Sequence, residues 1–303
     1  MAKMKSKNFN IMMIATMSSG KSTLINAMLG SELLPSKNEA CTAVISKIFH
    51  VKNRKYFISR LIFKDGGMSH WSKTNLNLLD EYNDQVNSKM IETKGNIKFI
   101  KENIKKTPVF IDTPGPNNSQ DYLHREVTYQ ALSNEITDLI IYVLNATQLG
   151  TDDDKLLINY LKEDVDRATK TIFVVNKVDY LDPENGESIS KMLETVKNYL
   201  EESGIKNPVI IPVSAGLAKL LRMKEKGITL TRLQRNRLSV WMDLFLEDTD
   251  MNLLMHSKKY IKDDVYHQLQ FKADFFKKMS SNVKLAEIYS GIPILEAIIN
   301  DHL

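Results

Sequence analysis

The sequence predicts an α/β protein with a doubly wound, mostly parallel sheet. Six short runs are rich in β-branched residues and apolar almost throughout, which is typical of parallel strands covered on both faces. Stretches with helical spacing separate these runs, and this alternation favours an α/β fold. The predicted strands are 9–15, 44–51, 109–112, 139–145, 171–176 and 209–213. The predicted helices among them are 21–29, 121–134, 153–162 and 189–203.

Residues 52–107 give a weaker pattern. RLIF at 60–63 predicts an edge strand, the spacing of apolar residues in 77–90 predicts a helix, and GNIKFIKENI at 95–104 predicts another strand. Beyond residue 215 the pattern becomes helical throughout, and the Gly and Pro of GIPILEAIINDHL mark the start of a closing helix. We therefore expect one domain formed by 8–215 and 288–303, with 216–287 as a helical insertion before the last helix.

Composition excludes several classes of protein. The 303 residues include a single cysteine, Cys41, which rules out an intramolecular disulfide framework and a multi-cysteine zinc site. No apolar run approaches the roughly 18 residues that a membrane-spanning helix needs, and the basic N-terminus lacks the apolar stretch of a signal peptide. We expect a cytoplasmic protein, with peripheral contact to the inner face of a membrane left open.

The first candidate motif is ATMSSGKST at 15–23, which follows a predicted strand and opens a predicted helix. In that context backbone N–H groups and the positive end of the helix face a phosphate. We expect Lys21 to reach the β- and γ-phosphates and Ser22 to give its hydroxyl to Mg²⁺. Ala15 stands where the pattern G-x-x-x-x-G-K-[ST] has its first glycine. The other nucleotide contacts expected in this loop are Ser18, Ser19, Gly20 and Thr23.

Two further elements fit a γ-phosphate site. DTPG follows the strand 109–112, so Asp112 is placed to hold Mg²⁺ through water and the N–H of Gly115 to meet the γ-phosphate. Thr42 could cap both the metal and the γ-phosphate and release them after hydrolysis. A threonine that merely enters the next strand is the alternative.

NKVD at 176–179 follows the strand TIFVV and fits a base-recognition loop. Asp179 can accept hydrogen bonds from N1–H and the 2-amino group of guanine, a donor pair that adenine lacks. We expect Asn176 to brace this loop and the stem of Lys177 to cover the base. Ser214 and Ala215 follow the strand VIIPV and let a backbone N–H approach the guanine carbonyl.

Each motif is ambiguous alone, but their order behind successive strands predicts a P-loop GTPase domain that binds GTP and GDP. An ATPase is the least favoured alternative, because Asp179 would lose its guanine partners. Pro116 follows Gly115, where small switch GTPases carry a water-orienting Gln, and the phosphate loop contains no Arg. We therefore expect slow hydrolysis by a monomer. A monovalent cation (K⁺ or Na⁺) held by Ser18, a backbone carbonyl or a second subunit could complete the site.

A family resemblance extends these motifs. FNIMMIATMSSGKSTLINAMLGSELLPSKNEACTAV resembles the start of a dynamin-superfamily G domain, especially those of bacterial dynamin-like proteins. The helix LINAMLG, followed by ELLP and then a threonine, carries most of the likeness. FIDTPGPNNSQDYLH, IIYVLNATQLGTDDD and VVNKVDYLD also resemble that group. The resemblance covers roughly 8–215, and SGIPILEAI is similar to the closing helix of the G domain.

The resemblance implies GTP hydrolysis stimulated by homodimerisation of G domains and often coupled to membrane remodelling. Met17 stands where many dynamins carry a catalytic Gln. The loop 147–154 matches a region that approaches the partner's nucleotide, although its acidic residues also fit a helix N-terminus. The implied catalytic positions are Ser18, Lys21, Thr42 and Gly115. The implied metal positions are Ser22, Thr42 and Asp112.

Two expectations concern regions beyond the nucleotide motifs. Family members use a long helical stalk, so we expect this chain to be an excised G domain whose membrane contacts lie in regions absent here. A minimal relative that cannot pull on membranes is the alternative. The segment 219–237 holds seven Lys or Arg against one acid, which fits an anionic partner such as lipid headgroups or nucleic acid. A solvated helix face packed by Leu217, Leu221 and Leu230 is the alternative.

The leading hypothesis is therefore a GTPase that dimerises and acts on a membrane or scaffold. The second is a regulatory GTP switch that binds protein or RNA through the basic segment. The third is a module that binds GTP with little turnover, which the residues Ala15 and Met17 keep open.

Overall fold

A nine-stranded sheet forms the centre of the fold in the computed structural model, which describes residues 7–35, 44–113, 137–163, 167 and 170–303. The order across the sheet is β4-β3-β5-β2-β6-β1-β7-β8-β9. Most neighbouring strands run parallel, and β2 pairs antiparallel with β6. The expected α/β fold with a mostly parallel sheet is confirmed. The strands are β1 Asn8–Ala15, β2 Ile45–His50, β3 Ile58–Phe63, β4 Ser72–Lys73, β5 Ser88–Gly95, β6 Thr107–Asp112, β7 Leu139–Asn145, β8 Thr171–Asn176 and β9 Val209–Val213.

Helices cover both faces of the parallel half of the sheet. Adjacent residues of β1 are buried on opposite faces, Met13 in the layer with α1 and α10 and Met12 in the layer with α3 and α4. No helix among the described residues is both long enough and apolar enough to cross a membrane. The helices are α1 Lys21–Leu29, α2 Leu76–Asp84, α3 Asp152–Lys162, α4 Ile189–Glu202, α5 Ala215–Glu225, α6 Arg232–Glu247, α7 Leu253–Ser257, α8 Asp263–Lys278, α9 Asn282–Tyr289 and α10 Ile292–His302.

The six strong strand predictions agree with β1, β2, β6, β7, β8 and β9 to within two residues at each end. The helix predicted at 121–134 lies outside the described residues. The strand predicted at 60–63 exists as part of β3, but it lies between β4 and β5 rather than at the edge. The short strand β4 forms that edge instead.

The strand predicted at 95–104 is wrong. The sheet strand is β5, which ends at Gly95, and the chain then turns inward so that Ile97 and Ile100 both enter the core. The N–H of Ile100 donates to the carbonyl of Ile97 at 3.2 Å, which is a turn rather than a ladder contact. Asn300 fixes this turn from α10, since its Oδ1 accepts from the N–H of Lys101 at 2.9 Å. The pattern of apolar residues in this segment did not distinguish a strand from an inward turn.

The segment 216–287 is occupied by the helices α5 to α9. These helices are integral to the packing, because α5 contributes Ala218 to one core layer and Leu217 to the other. Capping fixes the start of α6, where Thr231 and Gln234 each bind the other's backbone N–H. The division of the chain into a GTPase domain and an insertion remains a prediction.

Arg222 of α5 joins three other helices through partly buried contacts. Its Nε donates to Glu287 of α9 at 2.8 Å, and its Nη1 donates to Glu296 of α10 at 2.5 Å. The same Nη1 also donates to the carbonyl of Ala27 near the end of α1 at 2.7 Å. The phosphate-loop helix is thereby tied to the final helix of the chain.

Replacing Arg222 with alanine is expected to lower the free energy of unfolding by about 3–5 kcal/mol, because Glu296 would stay buried without its cation. Chemical denaturation followed by circular dichroism measures this change. The control is Arg232→Ala at the exposed start of α6, which should shift stability by less than about 0.5 kcal/mol. Equal effects of the two substitutions would contradict the prediction.

Candidate functional site

The predicted motifs meet at one edge of the sheet, where the parallel strands β1, β6, β8 and β9 end. In the register, Met13 of β1 pairs with Asp112, and Asn176 of β8 pairs with Val213. The residues after these strands therefore lie side by side, as expected for ligand sites in such sheets. This edge brings together the phosphate loop, Asp112, the NKVD loop and Ser214.

The phosphate loop between β1 and α1 is held in a tight turn. Gly20, directly before α1, has φ +86°, and Ser18 adopts a left-handed conformation with φ +59°. A β-carbon on Gly20 would overlap the side-chain amide of Asn176, so only glycine allows this close approach. Ser19 is buried and its hydroxyl donates to the carbonyl of Thr16 at 2.9 Å. The side chains of Met17 and Ser18 are exposed at the crest.

Ala15 fits its place without distorting the loop. It is the last residue of β1, pairs with Val143 of β7 and is 2% exposed. It does not have a positive φ, so the position does not require glycine. The departure of this loop from the usual glycine pattern is therefore compatible with a regular strand end.

Asn176 braces two neighbouring loops. Its Nδ2 donates to the carbonyl of Ser19 at 2.8 Å, and its Oδ1 accepts from the backbone N–H of Ala215 at 3.1 Å. The side chain is buried, so both hydrogen bonds form away from water. The phosphate loop and the loop after β9 are consequently held in a fixed relation to each other.

Lys21 and Asp112 form a buried ion pair at the base of the phosphate loop. Asp112 is fully buried, and burial raises the pKa of its carboxyl group while the ammonium of Lys21 lowers it. Its second oxygen, Oδ2, has no hydrogen-bond partner among the described residues. A buried carboxylate oxygen suits Mg²⁺, reached directly or through water, and Ser22, the residue after Lys21, supplies a hydroxyl at the start of α1.

Asp179 lies at the end of this edge where guanine recognition is predicted. It is buried beside Ser214, and one carboxylate oxygen has no hydrogen-bond partner in the described part of the chain. Burial raises the pKa of Asp179 to about 6, although a hydrogen bond from Ser214 and the charges of Lys177 and Arg237 lower it. The neighbouring Lys177 has φ +68°, which marks a tight turn directly before this carboxylate.

This pKa predicts a pH dependence for guanine binding. Two donors of guanine would face Asp179, so the base prefers the ionised carboxylate over the protonated acid. The affinity for GDP should therefore be constant above about pH 7 and fall roughly tenfold per unit below pH 6, as the ionised fraction falls. Titration calorimetry between pH 5 and 8 measures it. A flat profile would contradict the prediction, and Asp179→Asn should remove the pH dependence.

Several predicted residues lie outside the described ranges. These are Thr42 and Gly115 of the predicted γ-phosphate site, together with Cys41, Pro116 and the positions around them. The acidic loop 147–154 is described, and Thr151 and Asp154 form a capping box at the start of α3. Asp154 also accepts a hydrogen bond from the hydroxyl of Tyr142 at 2.8 Å and is 1% exposed. The helix-terminus interpretation therefore holds for Asp154.

Part of the basic segment 219–237 forms ion pairs and hydrogen bonds within the fold. Lys219 pairs with Glu32 at 2.6 Å, and Lys226 donates to the carbonyl of Gly30. With Arg222, these residues fasten α5 to the end of α1, and Leu217, Leu221 and Leu230 are buried as expected of a packed helix. The contacts favour the packed-helix interpretation for the first half of the segment.

Sequence analysis did not predict the contact between Trp241 and Gly216. Gly216 follows Ala215, and the indole of Trp241 lies where a β-carbon of Gly216 would point. The buried face of α6 was visible in the spacing of its apolar residues, but spacing does not identify the partner of a face. The sequence contained no signal that this face lies behind Asp179.

Comparisons with known proteins agree with this geometry. The sequence model of the Dynamin family matches residues 11–178, which is over half of the chain. A Caldicellulosiruptor sp. (strain Rt8B.4) protein, described as an uncharacterized protein in the xynA 3′ region, is 30% identical over 217 residues, 71% of this chain and 51% of its own length. The bacterial dynamin-like protein of Nostoc punctiforme is 26% identical over 198 residues, 60% of this chain and 27% of its own length.

A solved structure of an oligomerised bacterial dynamin pair has the same fold over 91% of this chain and 44% of its own, with a TM-score of 0.55 and 18% identity. The chain thus spans about half, or less, of the length of these relatives. The family match covers the phosphate loop, Asp112 and Asn176. The chain therefore belongs to the Dynamin family, and its described residues form a dynamin-like GTPase domain.

Proposed function

We propose that this chain binds GTP and GDP at the carboxyl edge of its parallel strands and hydrolyses GTP to GDP and phosphate. The observation that carries the proposal is the buried Asp179, whose Oδ1 has no hydrogen-bond partner among the described residues. A buried, unsatisfied acceptor costs about 1–3 kcal/mol, and the donor pair of guanine would satisfy it. Lys21 at the far end of the same edge supplies the cation for the phosphates.

Mg²⁺ fits the phosphate end of this site. Ser22 and Asp112 would hold it, with Thr42 as the third predicted ligand. When bound, the metal would neutralise charge on the β- and γ-phosphates. Lys21 would contribute a second positive charge there, and the backbone N–H groups of 18–22 would bind the phosphate oxygens.

We also propose that hydrolysis becomes fast only when two copies of the domain meet. Met17 and Ser18 are exposed at the crest of the phosphate loop. The thioether of Met17 is only a weak hydrogen-bond acceptor, so it cannot position an attacking water strongly. The proline that follows Gly115 cannot do so either. A group from a second copy, or a K⁺ or Na⁺ ion held near Ser18, would complete the site. The predicted catalytic positions remain Ser18, Lys21, Thr42 and Gly115.

The test is GTP turnover per protomer as protein concentration rises about a hundredfold, in K⁺ and in Na⁺ buffers, with ATP as the control. We expect specific activity to climb with concentration and ATP to remain unused. Flat and very slow GTP turnover would contradict dimer-stimulated catalysis. It would favour a regulatory switch or a GTP-binding module with little turnover.

Coupling to a membrane or scaffold is a further part of the proposal. Its support is the family, since the bacterial dynamin pair of similar fold is described as sensing and tethering membranes at long range. Such membrane contacts are expected outside the GTPase domain. An anionic partner at Lys219–Arg237 is less well supported, because Lys219, Arg222 and Lys226 already hold helices together.

A further inference from the structure

Trp241 lies directly behind the base-recognition loops. Its side chain is buried on α6, and a β-carbon placed on Gly216 would lie 3.0 Å from Cζ3 and Cη2 of the indole. The same β-carbon would lie 3.7 Å from Oδ2 of Asp179. The indole and the carboxylate that we expect to read guanine therefore both border the space that a side chain at position 216 would occupy.

A second contact joins Trp241 to the residue after Asp179. Tyr180, the residue after Asp179, meets Trp241 edge to face, with ring centroids 6.0 Å apart and an interplanar angle of 62°. This separation and angle are typical of favourable aromatic pairs. The indole therefore touches residues next to Asp179 in the NKVD loop and next to Ala215 in the loop after β9.

The position of the indole is set by α6 itself. Leu238 and Phe245 lie on the same face of the helix, three residues before and four residues after Trp241, and both are buried. Arg237, one turn before the indole, carries a charge that acts on Asp179. A shift of α6 would therefore move an aromatic contact and a charge at the base-recognition loop together.

A cleft separates part of α6 from the base-recognition loop. A cleft of about 630 Å³ lies between them, bounded by Asp179 and Leu181 on one side and by Val240 and Leu244 on the other. Trp241 bridges the two sides beside this cleft. The ring contact between Trp241 and Tyr180 thus joins the helix to the loop at the margin of the cleft.

We propose that Trp241 is a positioning residue for guanine recognition, acting through Gly216 and Tyr180 to hold Asp179 in place. The inference rests on the proposed binding of guanine nucleotides and extends it to a residue outside the predicted nucleotide motifs. It gives α6, in the helical segment after β9, a role in guanine recognition.

The test compares the dissociation constants for GDP and IDP, since hypoxanthine keeps N1–H of guanine but lacks the 2-amino group. Trp241→Leu should lower the GDP preference about tenfold, because a displaced carboxylate loses one of two charged hydrogen bonds. Trp241→Phe, which keeps an aromatic ring, should retain most of the preference. Trp71→Leu is the matched control, as Trp71 contacts Arg60 and Lys94 on distant strands.

Gly216→Ala provides a second variant in which Trp241 is intact. The added methyl group would press on the indole, so this variant should also lose GDP preference, and combining it with Trp241→Leu should restore part of it. Thermal unfolding of each variant separates a loss of folding from a loss of base selection. An unchanged ratio of GDP to IDP affinity in folded Trp241→Leu, or strictly additive effects of the two substitutions, would overturn the proposal.

Nucleotide binding by the wild-type protein distinguishes a failure of this inference from a failure of the proposed function. If the wild-type protein binds neither GDP nor IDP, the proposed function fails and the role of Trp241 falls with it. If the wild-type protein prefers GDP and the Trp241 and Gly216 variants keep that preference, the proposed function stands and the positioning role is wrong.

Discussion

Lys21→Met is expected to reduce GTP turnover by about a hundredfold to a thousandfold, the usual cost of removing one preorganised donor from a charged transition state. Lys21 is the buried cation at the start of α1, and it lies beside Asp112 at the phosphate end of the site. Methionine keeps the length of the side chain but cannot bind a phosphate oxygen. Phosphate release under conditions of maximal wild-type activity measures the effect.

Two controls separate catalysis from folding in this experiment. Lys21→Met leaves Asp112 buried without its cation, which should itself cost about 3–5 kcal/mol of stability. The double variant Lys21→Met with Asp112→Asn removes both charges, so it should regain stability without regaining turnover. Lys224→Met, at an exposed position of α5, should leave turnover unchanged. Wild-type turnover in a folded Lys21→Met protein would contradict the proposed role.

Asp179→Asn is expected to exchange guanine for xanthine as the preferred base. Asparagine would present an amide donor to the 2-amino group of guanine, whereas the 2-carbonyl of xanthine can accept from that donor. Two charged hydrogen bonds are worth roughly 1.5–3 kcal/mol each, so the affinity for GTP should fall by about a hundredfold to ten-thousandfold. Competition of GTP and XTP for the same protein measures the exchange.

Glu184→Gln is the matched control for this substitution, because it neutralises an exposed carboxylate of the next loop. It should leave the preference for GTP over XTP intact. An unchanged affinity for GTP and an unchanged preference for GTP over XTP in a folded Asp179→Asn protein would show that Asp179 does not read the base.

Most of the parallel half of the fold could be predicted from the sequence. Strands buried on both faces are apolar almost throughout, so β1, β7 and β8 were visible without knowledge of their neighbours. The phosphate loop and the NKVD loop could be placed because each follows such a strand. The parallel order of the strands then brings their ends to one edge.

The outer half of the sheet was harder to predict, because its strands are half-exposed and alternate only weakly. GNIKFIKENI alternates like a strand, yet it follows the strand and turns into the core at Ile97 and Ile100. The contact between Trp241 and Gly216 could not be predicted from the sequence either. An apolar helix face indicates burial, whereas the identity of the surface that it covers depends on contacts distant in sequence.

The most direct test of the central proposal is the affinity of the wild-type chain for GDP and ADP, measured by titration calorimetry in Mg²⁺ at pH 7.5. The site described here predicts one GDP per chain and an ADP affinity lower by at least about a hundredfold, because adenine offers Asp179 no matching pair of donors. Equal affinities for the two nucleotides, or no binding of GDP, would contradict it.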